Sequence, residues 1–276
     1  MRELVRITDS DDERIAPYRD IRERDLVRRQ NGFIAEGTVV LTMLLAAHER
    51  GGPFFARSLL LLENRVAGLM NLLEKVPADV PVYVVEKTVM NAIAGFDMHR
   101  GVLAIGEYRQ GQDPADMLAG LAEEALVVAA CGIANHDNVG AIFRSAAAFG
   151  ADCVLLDETS CDPLYRKAIR VSVGSVFSVP YIRGGSAHAM IDALVKRDFA
   201  LWGLSPRGTT DIRAVPAHPR IALLTGTEGE GLPQEILDTI RTARIPQMPG
   251  LDSLNAATAT GIALFALSNV MGRLPS

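Results

Sequence analysis

The sequence predicts an α/β fold in two domains, and three observations carry the prediction. Apolar runs of strand length alternate with segments of helical period, twice over. A stretch rich in Gly, Pro and charge around residues 109 to 117, "RQGQDPADM" and its neighbour, separates the two alternations. Glycines and polar residues follow directly on the apolar runs of the second half, at the edge where open α/β sheets bind ligands.

In the first alternation, "YRDIRERDLVRRQNG" reads as a polar helix stopped by Gly32, "FIAEG" as a short strand, and "TVVLTMLLAAHERGG" as an amphipathic helix ended by glycines. "ARSLLLLENRVAGLMNLLEK", "VPVYVVEKTVMNAIAG" and "RGVLAIGEY" add strand and helix, strand and helix, and a last strand. The predicted domains are 1–110 and 118–276. In the second, "ALVVAACG" and "ADCVLLD" read as buried parallel strands, "NVGAIFRSAAAFG" as a helix closed by Gly150, and "RIALLTGTEGEG" as a strand opening into a glycine-rich loop. "IPQMPGLDSLNAATATGIALF" passes from a Pro- and Gly-broken loop to a helix of small residues.

With 276 residues, 49% hydrophobic and 22% charged, the chain is long enough to bury a large core. No apolar run reaches the roughly 18 residues of a membrane span. The start, "MRELVRITDSDDERIAPYRD", has no apolar leader. Cys131, Cys153 and Cys161 are odd in number and lack metal-ligand spacing, so neither a disulfide framework nor a metal site is expected, and a cytoplasmic location is. A net charge of -5 argues against indiscriminate nucleic-acid binding but leaves local patches open. Arg19, Arg22, Arg24, Arg28 and Arg29 make one such group, suited either to RNA or to a salt-bridged helix surface. Arg166, Lys167 and Arg170 make another, on a solvated face or against phosphate.

Three segments of the second half carry candidate chemistry. In "ANHDNVGAIFRSAAAFGAD", Asn138 is either a helix cap or a ligand contact, and Arg144 is either a solvated helix arginine or, set among apolar residues, one with a specified partner. His136 reads as a surface residue rather than a catalyst. In "LLTGTEGEGLP", Gly226, Gly229 and Gly231 let backbone approach a bound molecule. The order GxxGxG with no following lysine supports neither a dinucleotide fingerprint nor a phosphate loop, and Glu228 and Glu230 favour a neutral or cationic ligand. In the last segment, Ser253 and Asn255 are suited to capping the helix, to facing a ligand, or to both; Ile245, Met248 and Leu251 are suited to a flat apolar group.

In this order the three segments resemble the motifs of the SpoU/TrmH family of RNA ribose 2'-O-methyltransferases, within the SPOUT superfamily. "NHDNVGAIFRSAAAFGAD" looks like the first motif, "LLTGTEGEGLP" the second, "IPQMPGLDSLNAATATGIAL" the third, and "DPLYRKAIRVSVGSVFSVP" the connecting region, over roughly residues 126 to 272. The resemblance implies an α/β SPOUT fold with a C-terminal trefoil knot, preceded by a small α/β RNA-binding domain similar to a ribosomal protein. It implies S-adenosylmethionine as cofactor, no metal, rRNA or tRNA as substrate, and a homodimer in which each site borrows residues from its partner. Carried over by position, Asn138, Arg144, Glu228, Ser253 and Asn255 match the family's functional residues. Leu224, Thr225, Gly226, Glu228, Ile245, Met248, Ser253 and Leu254 fall where the family surrounds its cofactor. The small residues Ala256 to Gly261 are expected to pack against a knot crossing or a second subunit. A noncatalytic RNA-binding or ribosome-assembly protein that keeps the fold is the alternative function.

Overall fold

The structure is a computed structural model that describes residues 3–19, 31–94, 101–109, 114–227, 229–250 and 253–275. Its strands are β1 (Val5–Ile7), β2 (Gly32–Glu36), β3 (Phe54–Leu62), β4 (Val82–Val85), β5 (Val102–Tyr108), β6 (Ala125–Ala130), β7 (Cys153–Leu156), β8 (Tyr181–Arg183), β9 (Ala200–Leu204), β10 (Thr210–Asp211), β11 (Arg220–Thr225) and β12 (Arg241–Arg244). The main helices are α1 (Thr38–Glu49), α2 (Lys87–Ala94), α3 (Pro114–Ala119), α4 (His136–Ala148), α5 (Arg166–Val171), α6 (Ala187–Val195) and α7 (Ala256–Val270). Among the described residues no helix is long and apolar enough to cross a membrane.

The chain divides into two compact units, Met1–Gln110 with Leu164–Phe177, and Gly111–Pro163 with Ser178–Ser276. The first holds a five-stranded sheet in the order β1-β4-β3-β5-β2, parallel from β1 through β3 and antiparallel at β5 and β2. Its central strand β3 carries Leu59 to Leu62, buried on both faces. Leu60 and Leu62 meet Ile7, Tyr18, Met90 and Leu103 in one cluster. A 3-10 helix, Glu13–Tyr18, precedes the predicted helix of residues 18–32 and meets it only at Tyr18, with Arg19 already extended; residues 20–30 of that helix, Arg22, Arg24, Arg28 and Arg29 among them, lie outside the described residues. Arg19 donates to the carbonyls of Ser10 and Asp12, which ties down its guanidinium.

The expected domain over 118–276 differs from this division in one stretch, because Leu164–Phe177 belongs with the first unit. Phe177 packs against Phe33 and Phe54 at ring-centroid distances of 5.1 and 5.3 Å. Arg166 donates through Nε and Nη2 to Glu36 Oε2 at 2.9 and 2.7 Å, with the two side chains only 15% and 8% exposed. The phosphate-facing alternative for Arg166 therefore gives way to a buried ion pair; Lys167 and Arg170 are exposed.

The second unit is built on a wholly parallel seven-stranded sheet, β10-β12-β9-β11-β6-β7-β8. Every residue of β6 is buried, as expected of a parallel strand covered on both faces. Val127, Ala129, Ala222 and Leu224 face a core shared with Leu118, Met190 and Leu194, from α3 and α6. On the sequence of α4 the stripe Asn138, Val139, Ile142, Phe143 and Ala146 is buried, and on α7 Ala256, Ala257, Thr260, Ala263, Leu264 and Leu267 are buried. These two helices pack on each other, with Gly261 so close to α4 that a Cβ there would lie 3.0 Å from Ser145 Oγ. Gly261 thus has a close neighbour within the same chain.

Candidate functional site

All strands of the second unit run the same way, so the loops after β6, β7, β11 and β12 leave from one edge. Buried polar residues gather there: Asn138, Asp157, Ser160, Thr225 and Thr260. Burial without hydrogen bonds would cost about 1–3 kcal/mol for each group, so their partners define the site.

The cap of α4 is Asn135, whose Oδ1 accepts from the Asp137 amide at 2.8 Å. Asn138 is therefore not the cap; it lies inside the first turn, 5% exposed, on the stripe that faces inward. The cap of α7 is Asn255, whose Oδ1 accepts from the amides of Ala257 and Thr258 at 3.0 and 3.1 Å. Its Nδ2 remains to donate, and it donates to Asn138 Oδ1 at 2.9 Å. One side chain thus caps a helix and joins the third segment to the first, 117 positions apart in the chain. Ser253 stands two residues ahead of the cap and is exposed.

The glycine-rich loop is folded on itself. Thr227 and Gly231 exchange backbone hydrogen bonds of 3.1 Å in both directions. A Cβ on Gly226 would come within 2.2 Å of the Gly231 carbonyl carbon, so this glycine is required by the loop's own backbone. Gly132, at φ 70°, accommodates the other side of the same loop, since a Cβ there would lie 2.8 Å from Thr227 Cγ2. The turn after β7 supports Gly132 from below. Asp157 accepts from the Gly132 amide at 3.0 and 3.1 Å, from the Ser160 amide at 2.8 Å, and from the hydroxyls of Thr159 and Ser160 at 2.8 and 2.6 Å. Ser160 Oγ in turn accepts from the Ile133 amide at 3.0 Å. Beside it, burial pushes the Cys131 thiol up to about 12, helped by the Asp157 charge, so Cys131 packs as an apolar group.

Thr225 ends β11 at 2% exposure, its Oγ1 3.1 Å from Thr260 Oγ1, which donates to the Ala256 carbonyl at 2.7 Å. Leu224, one residue earlier, is wholly buried in the sheet core. Ile245 and Leu254 are half-buried, and Met248 is 80% exposed. Its neighbour Gln247 has a buried Oε1 with no hydrogen-bond partner among the described residues, an acceptor that a bound donor would satisfy. Glu228 and Leu251 lie outside the described residues.

Arg144 is exposed, and no described residue pairs with it. The reason is phase: Ile142, Phe143 and Ala146 take the inward stripe of α4, which turns position 144 outward. Helical side chains lean toward the N-terminus, so this one leans along α4 toward the end that carries Asn138. His136 opens α4 and is half-buried.

The structure therefore brings together Asn138, Asn255, Thr225 and Gly226 at one edge, and leaves Arg144, Ser253 and Met248 exposed. Sequence reasoning passed over Asp157, Ser160, Gly132, Thr260 and Gln247. Asp157 had a signal, a carboxylate directly after the apolar run "CVLL"; the hydroxyls and Gln247 had none.

Residues 125–265, which contain all three motif segments, match the SpoU rRNA Methylase family. An uncharacterized tRNA/rRNA methyltransferase of Mycobacterium tuberculosis is 36% identical over 270 residues, covering 94% of this chain and 90% of that protein. The 23S rRNA (guanosine-2'-O-)-methyltransferase RlmB of Coxiella burnetii is 30% identical over 207 residues, 71% of this chain and 80% of its own length. The crystal structure of an AdoMet-bound rRNA methyltransferase from Sinorhizobium meliloti superimposes with a TM-score of 0.80 at 25% identity, covering 96% of this chain and 98% of that one. With its motifs, its parallel sheet and these relatives in agreement, the chain belongs to the SpoU rRNA methylase family.

Proposed function

We propose that the protein is an S-adenosylmethionine-dependent methyltransferase acting on a ribose 2'-hydroxyl of rRNA or tRNA. The observation that carries the reading is the Asn255 to Asn138 hydrogen bond, which ties the first and third motif segments at the ligand-binding edge of a parallel sheet. The edge fits the cofactor: Gln247 Oε1 is an acceptor with no partner among the described residues, Ile245 and Leu254 offer partly open apolar surface, and the 226–231 loop offers backbone groups. Gly226, Thr225, Ile245, Met248, Leu254, Ser253 and Glu228 are the residues we assign to holding it, with Leu224 supporting them from the core. When bound, the cofactor supplies a methyl group on a sulfonium, already activated for transfer.

The chain's own residues then have positional work. Arg144 binds a phosphate of the RNA and orients the neighbouring hydroxyl; a guanidinium keeps its proton at neutral pH, and its forked donors match phosphate oxygens. Asn138, held by Asn255, fixes the nucleotide's approach, because an in-line reaction loses rate steeply with misplacement. Glu228 offsets the cationic charge of the cofactor, and Ser253 supports the turn into α7.

Several finer features belong to the same reading. Exposed Thr258, Ile262, Phe265 and Asn269 form one stripe along α7, with Phe265 edge-on to Phe149 at 5.7 Å. This stripe supports a homodimer, in which Arg144 on the adjoining α4 surface meets groups of the partner subunit. A trefoil knot is supported by the return of the chain from β12, beyond β9, to lay α7 against α4. The first unit, a small mixed sheet, is assigned to RNA binding, and the cytoplasm to the protein's location.

The test supplies labelled S-adenosylmethionine with rRNA and tRNA and maps alkali-resistant linkages, since a 2'-O-methyl group blocks hydrolysis at its own bond. Arg144→Ala is expected to abolish transfer while calorimetric cofactor affinity stays close to wild type. Transfer by Arg144→Ala at the wild-type rate removes Arg144 from the chemistry, and no binding of S-adenosylmethionine at equilibrium favours the noncatalytic alternative.

A further inference from the structure

At one end of the first unit's sheet an arginine sits over an aromatic ring. The Arg109 guanidinium carbon is 4.0 Å from the centroid of Phe55, and its Nε donates to Glu107 Oε1 at 3.3 Å. The ring is held in turn: His48 meets it edge-on at 5.1 Å, and His48 Nδ1 accepts from the Ala56 amide at 3.1 Å. A register shift between Ala56 and Ser58 inserts Arg57 as an extra residue of β3, and Arg57 pairs with the same Glu107. Such bulges redirect side chains next to functional surfaces.

Two guanidinium groups therefore share one carboxylate, which leaves the group cationic. The Arg57 and Arg109 side chains are each 54% exposed, against 22% for Glu107. Isolated surface ion pairs contribute little to stability, so folding alone gives weak reason for this arrangement. It does give what an unpaired nucleobase needs: a flat cation already ordered by a ring beneath it, beside a second cation for the phosphate.

We propose that Phe55, Arg57, Glu107 and Arg109 form a platform on which an unpaired base of the substrate RNA stacks against Arg109 while Arg57 contacts its phosphate. The proposal rests on the reading of the chain as an RNA methyltransferase. Phe55 and Glu107 are positioning residues, whose effect passes through Arg109.

The experiment measures binding of the full-length protein to a single-stranded oligoribonucleotide and to the fully paired duplex of the same sequence, by fluorescence anisotropy. Arg109→Ala is expected to weaken single-strand binding about tenfold, the order of one lost base stack, with a much smaller change for the duplex. Arg109→Lys keeps the charge but loses the planar face, and is expected to fall nearly as far. Unchanged S-adenosylmethionine affinity and urea midpoint in both variants show that the fold is intact. Wild-type binding by Arg109→Lys reduces the effect to charge and overturns the platform, as does equal loss on duplex and single strand. If the variants bind like wild type while wild type methylates RNA, only the platform falls; if wild type neither binds nor methylates any RNA, the functional reading falls with it.

Discussion

Replacing Asn255 separates two jobs that one side chain performs. In Asn255→Ala, the amides of Ala257 and Thr258 lose their cap, which costs about 1 kcal/mol. The buried Asn138 oxygen also loses the donor at 2.9 Å, which costs about another 1 kcal/mol or somewhat more. The expected destabilisation is thus roughly 2–3 kcal/mol. Asn255→Asp divides the sum, because its carboxylate still caps α7 and its charge suits a helix N-terminus. It presents a second oxygen to Asn138 where a donor is needed. Urea unfolding followed through the single tryptophan, Trp202, reports on the unit concerned, since Trp202 lies buried on β9. The expected order of midpoints is wild type, then Asp, then Ala, at similar slopes. Methyl transfer is expected to fall alike in both variants. Equal midpoints for wild type and Asn255→Ala, or full transfer by Asn255→Asp, would refute the double role.

The remaining predictions concern the loop, the first unit and the thiols. Gly226→Ala is expected to weaken cofactor binding by forcing the 226–231 loop off its own backbone, whereas Gly229→Ala, whose Cβ would meet nothing within 4 Å, is expected to leave the calorimetric affinity near wild type. Glu36→Gln removes the carboxylate on which two Arg166 donors converge, and circular dichroism is expected to show a loss of about 3 kcal/mol in urea; a change within measurement error would mean the pair is not needed for stability. Burial pushes the thiols of Cys131 and Cys153 up to about 12, so at pH 8 an aromatic disulfide reagent should react quickly with Cys161 alone, and with all three cysteines after denaturation. Rapid reaction of more than one thiol in the folded protein would contradict the burial of the other two.

The features legible in the residues alone are local in character. The alternation of apolar runs and helical periods located β6, β7, β11, α1, α4 and α7, because hydrophobic period is a property of neighbouring residues. The ordered segments around Asn138, Gly226 and Asn255 carried the family, since motif order survives where contacts cannot be seen. Short strands such as β8, β10 and β12 lack the length to show a period, and pairing alone makes them strands. The three-dimensional fold supplied everything that depends on partners far apart in the chain. It assigned the α4 cap to Asn135 and gave Asn255 both its cap and its bond to Asn138. It turned Arg144 outward, and took Arg166 into a pair with Glu36, 130 positions away. It also explained Gly226 through Gly231 and made Asp157 the support of Gly132. Hydrogen bonds and close approaches are made between atoms in space, and a residue's type fixes only what it is able to donate, accept or fill; which neighbour it meets is settled when the sheet and its helices close around it.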